Sequence, residues 1–150
     1  MNFTTESYYQ KSSHATYRCE YHFIWVPKYR YKVFVEEVKP VLREILRQLC
    51  EWLEITIIEG NIRNDHIHLY LSVPPKHSPS FVMKILKGKS AELLRKRHSI
   101  FRKRMLKYNL WARGYFVSTV GLDSETVRNY VRNQEQEEAS IEQMRVWRDV

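Results

Sequence analysis

The segment NDHIHLYLSV, residues 64–73, sets His66 and His68 one residue apart in an otherwise apolar run. Side chains on a β-strand alternate faces with period two. Ile67, Leu69, Leu71 and Val73 therefore share a buried face, while His66, His68, Tyr70 and Ser72 share the other. Two imidazoles side by side on a rigid strand suit metal ligation, and equally suit two satisfied polar residues on a half-exposed sheet. Two ligands do not make a site, so a third donor has to come from elsewhere. The last helical segment offers Tyr130 and Gln134, four apart and hence on one helical face. A carboxamide oxygen can ligate a hard cation, and a phenol beside it can act as a nucleophile. Glu135, Glu137 and Glu138 are rival ligands, on other faces or further along.

The elements that must hold these groups are legible from periodicity. After a polar leader, residues 1–16, the stretch YRCEYHFIWVPKYR reads as a strand ending at Pro27, apolar on both faces and so central in its sheet. Val38, Val41, Leu42, Ile45, Leu46, Leu49 and Leu53 recur at helical steps, with Pro40 tolerated near the first turn. EITIIEGNIR and DHIHLYLSV are two further strands joined by a turn near residues 61–65. SPSFVMKILKGKSAELLRKR is a second helix with a stripe of Val82, Ile85, Leu86 and Leu93; Lys89 falls inside that apolar arc. GYFVSTVG is a fourth strand, and Ser124 can cap a last helix starting at Glu125, within a tyrosine-helix-and-tail segment 124–150. The order β-α-β-β-α-β-α predicts one α+β domain over residues 1–150. Its expected core is a ferredoxin-like (RRM-like) antiparallel sheet, βαββαβ, with an added C-terminal helix carrying Tyr130.

Composition bounds the function. The chain has 150 residues, 43% hydrophobic and 28% charged, as in a soluble globular domain; Lys and Arg total 25 against 17 Asp and Glu, for a net +8. That balance favours a polyanionic partner. Between residues 84 and 107 ten cations face Glu92 alone, which favours phosphate contacts. Tyr29, Tyr31, Tyr108 and Trp111 are as well suited to stacking unpaired bases as to core packing. Cys19 and Cys50 lie in apolar-patterned segments and form no CxxC pair, so packed, reduced thiols are expected. No apolar run is long enough for a membrane span, and no signal-peptide pattern opens the chain. A cytoplasmic protein is expected.

YHFIWVPKYRYKV, NDHIHLYLSV, MKILKGKSA, GYFVSTVG and VRNYVRNQ occur in the order and spacing of a known family. Over residues 14–136 the chain resembles the single-tyrosine HUH transposases of the 200/605 group of insertion sequences, which move as single-stranded DNA. The resemblance implies that His66 and His68 form the HUH metal motif, that Tyr130 is the nucleophile, and that Gln134 is the third metal ligand. It further implies DNA contacts from Lys28, Tyr29 and Arg30 and from the helix bearing Lys84, Lys87 and Lys89. The implied cofactor is Mg²⁺, with Mn²⁺ as a substitute; no nucleotide cofactor is needed. The implied partners are hairpins at the element's ends and a second copy of the chain, forming a homodimer with composite active sites. His22, on the first strand, is expected to pack or touch DNA rather than ligate. Two rival readings stay open: a non-catalytic single-stranded nucleic-acid-binding module, such as a domesticated or inactive copy, and a metal-dependent hydrolase in which water attacks.

Overall fold

Helix α1, Val38–Trp52, buries Val38, Leu42, Ile45, Leu46, Leu49 and Cys50, a stripe at three- and four-residue steps. Pro40 sits in its first turn, where the missing N–H has no intrahelical partner to lose. Its far end closes by a Schellman arrangement: Ile55 N–H donates to Cys50 O at 2.8 Å, with Glu54 at φ 60° between them. The computed structural model describes residues 9–28, 37–97 and 110–148. Tyr29, Arg30, Tyr31, Arg102, Lys103, Arg104, Lys107 and Tyr108 lie outside the described residues.

The described residues hold six strands: β1 (Gln10–Lys11), β2 (Thr16–Tyr17), β3 (Glu20–Trp25), β4 (Thr56–Ile62), β5 (Ile67–Ser72) and β6 (Phe116–Ser118). Besides α1 they hold α2 (Pro79–Arg97) and α3 (Ser124–Arg148). Strands β3 to β6 form one sheet in the order β4-β5-β3-β6, every pair antiparallel. This is the ferredoxin-like arrangement of two interlocked βαβ units, and β3 is central as its two apolar faces require. The polar leader holds a feature that the sequence reading left out. Residues 10–17 form a small hairpin, β1 with β2, closed by Ser12 N–H to Ala15 O at 2.8 Å.

One face of the sheet carries the main core. Phe23, Trp25, Ile67, Leu69, Leu71 and Val73 pack against the stripe of α1 and against Val82, Met83, Leu86 and Leu94 of α2. Cys50 lies within this core, and burial pushes its thiol up to about 12, so it is a packing group and not a reactive one. Ser78 caps α2: its Oγ accepts Phe81 N–H at 3.1 Å, and Pro79 follows at the first helical position. Ser78→Ala is expected to lower the unfolding free energy by about 1 kcal/mol, read as a shift in the urea midpoint at constant slope.

Helix α3 starts differently from the expectation. Ser124 is its first residue rather than its cap; the Asp123 carboxylate accepts Thr126 N–H at 2.7 Å, and Asp123 O accepts Val127 N–H at 3.3 Å. A carboxylate beats a hydroxyl there because it also meets the positive end of the helix dipole. The helix lies on the sheet face opposite α1 and α2. Val127, Tyr130 and Val131 pack on Val26 and Ala112, a second and much smaller apolar cluster.

Candidate active site

Strand β5 presents His68 as the alternation requires: Ile67, Leu69 and Leu71 are buried, and His68 between the first two is half-buried on the other face. His66, also half-buried, immediately precedes the strand. Each imidazole has a partner that holds one ring nitrogen. His66 Nδ1 lies 2.7 Å from Asp65 Oδ1, so its N–H donates to the carboxylate and Nε2 is left as a donor atom for a cation. His68 Nε2 lies 3.1 Å from His22 Nδ1. His22 in turn stacks flat on Tyr70, with centroids 4.1 Å apart and planes 4° apart.

That small network is anchored at its far end. The Tyr70 hydroxyl donates to Glu20 at 2.8 Å, and Arg18 pairs with the same carboxylate. Burial alone would raise Glu20, but the hydrogen bonds from Arg18 and Tyr70 outweigh it and hold the carboxyl below its usual range. Burial, followed by the charges His22 and His66 would carry, lowers His68, keeping its imidazole neutral near pH 7. A neutral imidazole is the form that binds metals. His22 stacks on Tyr70, where the sequence led to an expectation of packing or a DNA contact, and its bond to His68 went unforeseen. One strand's pattern cannot reveal a diagonal contact made across two strands.

Sheet register places the other half of the site. His68 pairs with Ile24 on β3, Ile24 pairs with Phe116 on β6, and Asn61 on β4 faces His68 from the other side. Direct cross-strand partners share a face, so these four residues form one row across the sheet. Tyr130 meets the end of that row, its ring edge-on to Phe116 with centroids 5.5 Å apart. At about 4.8 Å between neighbouring strands, the row carries Tyr130 to the histidine face some two strand spacings from His68. Gln134, one turn beyond Tyr130, is half-buried on the same side of α3. Burial first, then the charge of Glu137, pushes the Tyr130 phenol up to about 12.

Among the described residues, no three His, Cys, Asp or Glu side chains gather closely enough to hold a metal ion. Two oriented imidazoles nevertheless fit a divalent cation, provided the next donor is of another kind, and the Gln134 carboxamide is such a donor. Glu138, a rival in the sequence reading, is buried elsewhere and accepts Arg113 N–H at 3.4 Å.

The basic residues are spread more widely. Lys84 and Lys89 are exposed on α2, which covers the opposite face of the sheet from the histidines. Lys89 does not reach towards the site: its ammonium turns outward to Glu92 at 3.5 Å. Lys87 is half-buried and donates to Ala112 O at 2.8 Å and Gly114 O at 2.9 Å. Lys28 lies three residues beyond the end of β3, its N–H bonded to Leu110 O at 2.9 Å. Trp111 is buried in the main core, so it packs rather than stacking on bases. No helix among the described residues is long and apolar enough to cross a membrane.

The family model for IS200-like transposases matches residues 15–134. The transposase of insertion sequence element IS200 from Salmonella typhimurium is 37% identical over 134 residues, covering 89% of this chain and 88% of that one. The ISDra2 transposase TnpA of Deinococcus radiodurans is 34% identical over 131 residues, covering 86% and 93%. A crystal structure of a Deinococcus radiodurans R1 protein superposes with a TM-score of 0.74 at 32% identity, over 83% of this chain and 97% of that one. A tyrosine transposase bound to a REP hairpin shares the fold at a TM-score of 0.51 and 14% identity, over 81% and 68%. With the ferredoxin-like sheet, the paired histidines and the tyrosine-bearing helix in place, these matches establish that the chain belongs to the IS200-like transposases, enzymes that act on DNA.

Proposed function

We propose that the chain cleaves and rejoins single-stranded DNA at the ends of its insertion sequence, with Tyr130 as nucleophile. The observation that carries this reading is the cross-strand row ending in Phe116, which sets the Tyr130 ring on the same sheet face as His66 and His68. The Tyr130 oxygen attacks the scissile phosphorus and loses its proton. The bond from phosphorus to the 3′ oxygen breaks, and that oxygen leaves as a protonated 3′-OH. The product is a 5′-phosphotyrosine, whose phosphodiester bond energy lets a 3′-OH reverse the step at a new junction. No water and no nucleotide enter the balance.

His66, His68 and Gln134 would hold the divalent ion, Mg²⁺ with Mn²⁺ as a substitute. Bound there, it supplies positive charge that offsets the charge gathering on the phosphoryl oxygens and favours the phenolate of Tyr130. The chain's own contribution is orientation. Asp65 fixes the tautomer and ring plane of His66, and the stack of His22 on Tyr70 limits the swing of His68. The reading includes hairpin-bearing DNA as substrate and a homodimer in which one subunit's tyrosine helix serves its partner's histidines.

The test uses hairpin oligonucleotides from the end of the element that encodes the chain, with Mn²⁺ present. A 3′-labelled strand should become covalently attached to protein, while a 5′-labelled strand should be released with a free 3′-OH. Attachment of the 5′ label, or release of both labels, contradicts the proposal. Asp65→Asn should weaken Mn²⁺ binding about tenfold, read by titration calorimetry without DNA, since losing an outer-shell partner costs about 10–100-fold and Asp65 is half exposed.

A further inference from the structure

Residues 110–114 form a strap between the sheet and α3, and the strap is fastened on both sides. Towards the sheet, Ala112 N–H donates to Val26 O at 2.9 Å, and Pro27 bridges Trp111. Towards α2, Trp111 Nε1 donates to Ser90 Oγ at 2.9 Å in the core. Three residues before Ser90, Lys87 gives its ammonium to the carbonyls of Ala112 and Gly114. Burial lowers the Lys87 pKa against the opposing pull of Glu138. Gly114 supplies the turn's positive φ of 80°, a conformation that side chains disfavour.

The outer side of the strap is where α3 sits. Ala112, 1% exposed, is the floor under Val127, Tyr130 and Val131, and Arg113 N–H meets Glu138, 7% exposed on the same helix. Positions 127, 131, 134 and 138 recur at four, three and four residues, so the apolar floor and the Glu138 contact lie along one stripe of α3. Among the described residues, the tyrosine-bearing turn rests on this strap, on Val26 and on Phe116.

We propose that Lys87 is a positioning residue for Tyr130 and not a phosphate contact: it clamps the strap on which the tyrosine helix is seated, and Glu138 latches the helix to that strap. The lysine's donors are directed at two carbonyls of the chain itself: the part-buried Ala112 O, which would be costly to leave unpaired, and the exposed Gly114 O beside it. The consequence for catalysis rests on the reading of Tyr130 as nucleophile; the seat itself does not.

The test compares wild type with Lys87→Met, which keeps the length of the side chain and removes the ammonium, and with Glu138→Gln, which acts from the helix side. Amide hydrogen exchange over residues 127–138 should quicken tenfold or more in Lys87→Met and severalfold in Glu138→Gln. Affinity for a hairpin oligonucleotide from the element's end should stay within twofold, with the same salt dependence, while covalent adduct forms at least tenfold more slowly. Unchanged exchange in both variants overturns the proposal. So does a salt slope shallower by about one in Lys87→Met, the mark of a lost phosphate contact. If Lys87→Met does not fold, Glu138→Gln decides by the same exchange criterion. Wild-type protein that forms no adduct refutes the nucleophile and leaves the exchange result to judge the seat.

Discussion

Tyr130→Phe is expected to lower cleavage of hairpin DNA by a factor of about 10⁴ or more and to eliminate the covalent adduct, with DNA affinity unchanged within twofold. The substitution is narrow. The ring that meets Phe116 edge-on survives, as does its contact with the Val26, Ala112 and Val131 cluster, so α3 keeps its seat. Only the hydroxyl is lost, and with it the atom that would bond to phosphorus. Buried and pushed up to about 12, that phenol is a poor nucleophile while it stays where it is packed. Its activation must therefore come from positive charge brought to the oxygen. Cleavage that persists in Tyr130→Phe would mean that water attacks. Binding without cleavage in the wild type, with Mn²⁺ present, would mean an inactive DNA-binding copy.

Much of this site was legible because strands and helices impose simple periods. Alternation in NDHIHLYLSV alone assigned Ile67, Leu69 and Leu71 to the core and His68 and Tyr70 to the other face, as the strand is built, although Ser72 of that second face is buried as well. Four-residue spacing put Gln134 beside Tyr130 on α3, again as built. What stayed hidden depends on register and on tertiary neighbours. No local pattern says that Ile24 pairs at once with His68 and Phe116, yet that pairing brings the tyrosine to the histidine face. His22 could be placed on a strand but not next to His68 Nε2. Lys87 read as one cation in a basic run, because only the fold shows that two carbonyls 25 and 27 residues away claim it. The hairpin of residues 10–17 was missed for a related reason: short polar strands carry no hydrophobic alternation for a pattern to find.

His66→Ala and His68→Ala are each expected to abolish detectable Mn²⁺ binding by calorimetry and to reduce adduct formation by roughly 10³-fold, equivalent to several kcal/mol of transition-state stabilisation. The double variant should be little worse than either single, since the remaining imidazole and a carboxamide make a poor site alone. Stability should move little, because neither side chain belongs to the main core, which takes Ile67, Leu69 and Leu71 from this strand. An unchanged urea midpoint alongside lost binding would separate a ligand from a structural histidine. Of the two, His68→Ala also removes the partner of His22 Nδ1, so the stack on Tyr70 should loosen, read as a change in the His22 ring chemical shifts by NMR. Mixing His68→Ala with Tyr130→Phe should then restore adduct in part, because in the proposed homodimer with composite sites one intact tyrosine would meet one intact histidine pair. If neither histidine variant loses Mn²⁺ binding, the proposed metal site is wrong, however close Tyr130 lies to the row that leads to it.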